Sequence, residues 1–242
     1  MNTVKIFNSL YSKYGSQGWW PLTIAKFPSV FSASKLLVLR KENGLLYGIP
    51  WKKLTQLKSS SYDPYFDIAV GSILTQNTAW KNVALTLQNL ASNKFLTPKK
   101  IACANVLTLE KQIRSSGYYK QKTKKLKLFA EYIQKKYQGD LSLIFKQNLI
   151  KARQELLNIW GIGNETADSI LLYAGNMPIF VIDTYTKRLC LQNKLQFKTY
   201  DEYQTFFMND SAIPKQYTDK KTEYYKEFHA LIVRWGKDSS QT

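Results

Sequence analysis

Between Leu156 and Asp183 the chain reads LLNIWGIGNETADSILLYAGNMPIFVID, and this stretch restricts the fold more than any composition value does. Gly161 and Gly163 bracket a single residue, between two segments of apolar periodicity. Residues without a Cβ let the backbone turn sharply and approach another surface closely. On the near side, Lys151 to Ile159 reads as a helix. On the far side a second helix starts around Thr166. There Ala167, Ile170, Leu171 and Ala174 recur at i, i+3, i+4 and i+7, one helical face. Gly175 and Pro178 then supply stop signals, and Asp183 follows. The N–H groups left free by such a turn and helix start make an anion site. With 35 Lys+Arg against 17 Asp+Glu and a net charge of +18, the expected anion is a nucleic-acid phosphate. A solvated, lysine-rich surface is the plainer alternative.

The apolar fraction of 44% supports an ordinary buried core. No apolar run is long enough to cross a bilayer. The first residues, MNTVKIFNSLYSKYG, lack the apolar block and cleavage site of a signal peptide, so the expectation is a soluble, intracellular protein with no membrane partner. Two cysteines, Cys103 and Cys190, give no disulfide framework. A single histidine, His229, argues against Ser-His-Asp, Cys-His and multi-histidine zinc chemistry, and no metal site is expected.

Helical periodicity dominates elsewhere. Phe66, Val70, Ile73 and Leu74 share one face, as do Val83, Leu87 and Leu90. Thr97-Pro98 reads as an N-cap followed by proline at the first helical position. Lys120 to Tyr137 is a lysine-rich amphipathic helix with Leu126, Phe129, Ala130 and Ile133 inward. Thr184 is the expected cap of a helix toward Leu191, and Tyr224 to Trp235 reads as the last helix. Lys35 to Gly48 alone has strand character, from Leu36 to Leu39. The serine-rich segment Lys58 to Pro64 reads as a linker. The expected fold class is all-α.

Helix, Gly-Ile-Gly hairpin, helix, Gly/Pro loop and Asp183 together resemble the helix-hairpin-helix–Gly/Pro–Asp DNA glycosylases of the endonuclease III superfamily. Phe66 to Asn77 (FDIAVGSILTQN), with Thr78 and Trp80, resembles that family's first core helix. Gly117 to Lys122 is similar to its Gly-aromatic-X-X-X-Lys turn, and Glu227 to Val233 (EFHALIV) to its last helix. Tyr14-Gly15 and Gly18-Trp19-Trp20-Pro21 resemble the N-terminus of the alkylpurine, or 3-methyladenine, branch. The resemblance covers residues 10–22 and 62–238 and leaves 23–61 as an insertion.

This resemblance implies a two-lobed fold with the active site in the cleft between lobes. Residues 65–182 would carry the hairpin in one lobe, and 1–64 would pack with 183–242 as the other. It implies a monomer acting on double-stranded DNA with a damaged base, which must leave the stack to be reached. Asp183 is the implied catalytic residue. It could orient or deprotonate a water, or stabilise the cationic sugar that develops as the base departs; both roles stay open. Gly161, Gly163, Asn164 and Thr166 are the expected backbone contacts, holding a phosphate without reading sequence. Lys120 and Lys122, with Lys124, Lys125 and Lys127, form either a phosphate-facing stripe or a solvated face. Gln76 matches the position that fills the gap left by a flipped base, or else caps its helix. Tyr119 or its neighbour Tyr118 is the expected wedge in the opposite strand.

Trp19, Trp20, Pro21 and Phe66 are the expected base pocket, although the spacing of Phe66 also fits helix core. Electron-rich indoles favour a cationic alkylpurine by roughly 0.5 to 2 kcal/mol per contact. His229 reads as a structural polar residue. Lys237 lies near the pocket by family position, or is a solvated terminal lysine. The hairpin carbonyls of the family often hold a monovalent cation, which the resemblance carries over as an implication only.

Two departures narrow the reading. Lyase members place a Schiff-base lysine two residues after the second hairpin glycine, where this chain has Glu165. A carboxylate cannot form an imine. Iron–sulfur members follow the last helix with four spaced cysteines, whereas here the sequence reads GKDSSQT, and an iron–sulfur cluster needs about four thiolates. The expectation is a monofunctional, cluster-free glycosylase for 3-methyladenine-type lesions. Its rivals are a mismatch uracil/thymine or other damaged-base glycosylase, and a hairpin module that binds DNA without catalysis.

Overall fold

The computed structural model describes residues 2–24, 40–209 and 213–239. Its helices are α1 (Thr3–Tyr14), α2 (Leu54–Leu57), α3 (Pro64–Leu74), α4 (Trp80–Ser92), α5 (Pro98–Ala102), α6 (Val106–Ile113), α7 (Tyr119–Tyr137), α8 (Leu149–Leu157), α9 (Asn164–Ser169), α10 (Thr184–Gln192), α11 (Tyr200–Phe207) and α12 (Lys221–Asp238). Between α1 and α2 lies a hairpin of β1 (Arg40–Glu42) and β2 (Leu45–Tyr47). The chain is therefore mostly helical, as the periodicity predicts. None of the described helices is long and apolar enough to cross a membrane.

Short polar side chains start the helices. Asp63 accepts the N–H groups of Tyr65 and Phe66 at 2.9 and 3.2 Å, with Pro64 at the first helical position of α3. Asn105, Asn148 and Thr199 cap α6, α8 and α11 in the same way. Each such cap contributes about 1 kcal/mol. The cap of α10 is Asp183, not Thr184: its Oδ1 accepts the N–H of Thr186 at 2.7 Å. The residue expected to do chemistry thus also begins a helix.

Helix α3 is buried along its whole length, as expected of a helix apolar all round. This corrects the placement of Phe66 in the base pocket. Phe66 is 0% exposed and stacks on Phe129 with centroids 5.9 Å apart and planes 13° off parallel. A ring closed on all sides cannot meet a base. The Lys58–Pro64 segment is a structured turn rather than a loose linker: Ser59 and Tyr62 bridge each other, and Lys58 pairs with Asp63 at 3.2 Å.

The strand character after Lys35 resolves into the β-hairpin, while Leu36 to Leu39 lie outside the described residues. Asn43 and Gly44 take φ of 49° and 72° at its tip, the left-handed pair that tight hairpins favour. The hairpin frames the Trp19-Trp20 segment: Leu46 and Leu22 exchange N–H···O bonds at 2.9 Å, and Gly48 donates to Gly18 O at 2.8 Å. The hairpin of the insertion is thereby built against the segment that carries the two tryptophans.

Candidate active site

The turn between α8 and α9 is built as the glycines require. Gly161 sits at φ +88°, a conformation that L side chains rarely adopt, and a Cβ there would lie 2.5 Å from Lys125 Cγ. Gly163, with nothing within 4 Å of its missing Cβ, leaves the mouth of the turn open. Ile162 donates to Ile159 O at 3.0 Å, and the first bond of α9 runs from Ala167 N to Gly163 O at 2.9 Å. The N–H groups of Asn164, Glu165 and Thr166 precede that bond, so the helix's own carbonyls leave them unpaired. Gly161→Ala is expected to destabilise the fold by about 1 to 3 kcal/mol and to weaken DNA binding. Thermal unfolding and a DNA titration check this, and an unaltered melting temperature would contradict it.

Of the expected lysine stripe, Lys120 is exposed and free to meet phosphate, but Lys122 is not. Lys122 is 2% exposed, and its Nζ donates to Leu74 O at 2.8 Å, Thr78 Oγ1 at 2.5 Å and Ser116 O at 2.6 Å. Burial, aided by Lys125, lowers its pKa to about 8. Lys122 is therefore an internal brace between α3, the turn after it and α7. Lys127 likewise donates to the carbonyls of Ala102 and Ala104. Lys124 lies 4.3 Å from the ring centroid of Trp160, an exposed indole at the start of the hairpin turn.

Gln76 does not stand free as a strand wedge in this structure. Its Nε2 donates to Gly161 O at 3.1 Å and to Thr166 Oγ1 at 2.8 Å, while Lys125 Nζ donates to its Oε1. It clamps the end of α3 to the hairpin, and the Gly161 and Ile159 carbonyls already accept hydrogen bonds there. Tyr119 is half-buried beside Arg114, whereas Tyr118, at φ 45°, is 67% exposed. The exposed ring of that pair is Tyr118.

The two tryptophans play different parts. Trp20 is buried, edge-on to Trp80 at 5.5 Å and to Tyr173 at 5.2 Å. A Cβ on Gly71 would come within 3.0 Å of its ring. Trp19 is half-buried, 4.8 Å from Trp80 and 5.9 Å from Tyr47, and Lys237 Nζ lies 5.4 Å from its ring centroid. Pro21 is buried behind them. Two carboxylates, one half-buried and one fully buried, hold the segment at its ends. Glu227 on α12 accepts Gln17 N at 2.6 Å and Ser16 Oγ at 3.3 Å. Asp67 on α3 accepts Thr23 N and Oγ1, both at 2.9 Å, and Tyr62 OH at 2.7 Å. Burial raises the pKa of both, to about 6 for Asp67.

This aromatic cluster runs into the carboxylate. Tyr173, against Trp20, has its hydroxyl 2.7 Å from His229 Nδ1, and His229 Nε2 lies 3.6 Å from Asp183 Oδ2. Asp183 Oδ1 accepts both the N–H and the Oγ1–H of Thr186, at 2.7 and 2.8 Å. Burial alone would raise the pKa of Asp183, but His229 and the Thr186 bonds outweigh it and hold the group below its usual value. Glu165 shifts the other way, raised by desolvation and by Asp183 against the opposing pull of His229 and Lys187. Lys237 is lowered by burial while Glu42 and Asp183 draw it up. The arrangement offers an ionised carboxylate with one oxygen committed to a helix cap and one open, beside a wall of aromatic rings.

Residue patterns did not reveal Tyr47, Trp80 or Tyr173 as parts of that wall, nor His229 as the neighbour of Asp183. Tyr47 falls in the insertion, and Trp80 and Tyr173 read as helix positions. Lys237, left between pocket and solvent by the sequence, is on the pocket side. Cys103 is exposed and Cys190 buried.

Comparison with known proteins bears on the family and the fold. A family model described as the HhH-GPD superfamily base excision DNA repair protein matches residues 70–208. A Methanocaldococcus jannaschii protein, whose name assigns it provisionally to the DNA repair glycosylases, is 34% identical over 237 residues, spanning 96% of this chain and 86% of its own. Endonuclease III of Sulfolobus acidocaldarius is 31% identical over 184 residues, 73% of this chain and 74% of the relative. The crystal structure of the H. pylori 3-methyladenine DNA glycosylase bound to 1,N6-ethenoadenine superposes with a TM-score of 0.71 at 25% identity, covering 99% of both chains.

Proposed function

The chain belongs to the HhH-GPD superfamily of base excision DNA repair proteins, and within it we propose a monofunctional DNA glycosylase that excises alkylated purines of the 3-methyladenine type. The observation that carries the reading is the half-buried Trp19, in an aromatic wall that continues through Trp20, Tyr173 and His229 to Asp183. The similarity to a 3-methyladenine glycosylase supports it.

In this reading the turn at Gly161 to Thr166 takes a backbone phosphate on its free N–H groups. The damaged nucleotide leaves the stack, and its base enters beside Trp19. The bond from the base nitrogen to C1′ breaks, and the departing base keeps the electron pair. Asp183 Oδ2 stabilises the positive charge left on the sugar. A water oxygen then bonds to C1′, and its proton passes to the carboxylate or to solvent. An N3- or N7-alkylated purine carries a positive charge that makes it a good leaving group, so little acid assistance is needed. Lys237 already lies over Trp19, so a cationic base must share or displace that ammonium, which burial makes easier to neutralise. Glu165, in the place of the Schiff-base lysine, supports hydrolysis without lyase chemistry.

Release from alkylated duplex DNA is the test. The expected result is free 3-methyladenine, an intact abasic strand, and no product from uracil or thymine mismatches. Release from mismatches alone would overturn the substrate assignment. A borohydride-trapped protein–DNA adduct would overturn the monofunctional one.

A further inference from the structure

We infer that His229 is a positioning residue for Asp183, held by Tyr173 so that its Nε2 faces the one carboxylate oxygen that the helix cap leaves open. The inference rests on Asp183 being the carboxylate that acts on the sugar. Asp183 has two oxygens with different duties. Oδ1 accepts two hydrogens from Thr186. Oδ2 is left for the substrate, and His229 Nε2 lies 3.6 Å from it. Both side chains are largely enclosed, at 9% and 12% exposure. His229 Nε2 has no hydrogen-bond partner among the described residues. At 3.6 Å it is outside hydrogen-bond range, so its influence on Oδ2 is electrostatic.

Tyr173 limits how the imidazole can stand. Its hydroxyl is 2.7 Å from Nδ1 and 3.3 Å from Lys226 O. When the hydroxyl donates to Nδ1, a neutral imidazole carries its hydrogen on Nε2. When it donates to Lys226 O, Nδ1–H donates to the tyrosine, and an N–H toward Asp183 then requires the imidazolium. A bare Nε2 lone pair against a carboxylate is repulsive, so both favoured arrangements present a hydrogen to Oδ2. The other charges around the pair come from different elements. Glu165 on α9 raises the carboxylate–imidazole region's negative potential, Lys237 further along α12 opposes it, and Lys226 is turned away onto Asn176 Oδ1 at 2.7 Å. His229 is the partner whose removal would most raise the pKa of Asp183, since its contribution leads those that offset burial.

The experiment follows single-turnover base release, across pH, from whichever lesion duplex the wild type processes, with His229→Phe, His229→Gln and Asp183→Asn alongside. His229→Phe is expected to slow release about 10- to 100-fold, with DNA affinity little changed. Its acid limb moves to higher pH, because the carboxylate protonates sooner without the facing N–H. His229→Gln, which keeps an N–H donor without the ring, recovers part of both. An acid limb that superimposes on the wild type, or equal losses in the two variants, would overturn the proposal and leave Asp183's role standing. Undiminished release by Asp183→Asn would overturn that role as well.

A readout without activity covers a His229→Phe that fails to fold. His229 is the single histidine of the chain, so its ring-nitrogen resonances need no assignment. At constant pH they should shift on Asp183→Asn and on Tyr173→Phe; unchanged resonances in both would refute the proposed contact.

Discussion

Asp183→Asn is expected to lower base release by about 10²- to 10⁴-fold while leaving the protein folded. The two halves of that expectation come from the two oxygens. Asparagine caps helices about as well as aspartate, so its Oδ1 can still accept the N–H and hydroxyl of Thr186, which now lie 2.7 and 2.8 Å away. The start of α10 survives. What is lost is the negative charge at Oδ2, beside His229 and at the end of the aromatic wall. A neutral amide can neither stabilise a cationic sugar nor accept a proton from water. Melting temperature and DNA affinity near wild type, with release nearly abolished, is the expected pattern. Wild-type release would remove Asp183 from the chemistry, whereas no release by the wild-type protein itself would return the chain to the reading of a hairpin module that only binds DNA.

Lys122→Met should act in the opposite way, on stability rather than chemistry. The aliphatic stem is replaced well, but Leu74 O, Thr78 Oγ1 and Ser116 O lose their common donor in a buried place. Orphaned buried acceptors cost about 3 kcal/mol together, which for a chain of this length is a fall in melting temperature of roughly 6 to 12 °C. The pH dependence has a definite sign. The ammonium titrates near 8 in the folded protein, against 10.5 for a free lysine. Between those values the unfolded chain binds more proton, so this lysine makes the wild type more stable as pH rises. The gap to Lys122→Met should widen across that window. A phosphate contact predicts a different result: an unchanged melting temperature and a salt slope on duplex DNA reduced by about 0.9.

These two residues show how far a linear reading reaches. Asp183 was legible because a carboxylate at a helix start, after a Gly/Pro loop and a glycine hairpin, is a local pattern. In sequence, Lys122 between Lys120 and Lys124 looks solvated; only the approach of α3 and the turn after it brings Leu74 O and Thr78 Oγ1 to its ammonium, beside the local Ser116 O. Gln76 is a similar case: its position in LTQN is recognisable, but its bonds to Gly161 and Thr166 lie far away in sequence. Phe66 carried two readings, core and pocket, and the stack on Phe129 decides for core. The glycine turn itself, the helix start at Thr97, and the buried stripe of α7 follow from cap residues and periodicity, which act over a few residues and so leave a mark in the sequence.

By itself, then, the sequence determined the helical class, the glycine turn with its free N–H groups, the carboxylate after it and the absence of a lysine at position 165. Each depends on residue type and short spacing. The tertiary structure alone decided which aromatic rings meet Asp183, that the β-hairpin of the insertion backs Trp19, and that His229 faces the open carboxylate oxygen. The meeting of Tyr173 and His229 depends on how residues 170–174 pack against α3 and α12. Packing brings together side chains that no local pattern connects, because burial rewards any close fit of apolar surface, whatever its distance along the chain.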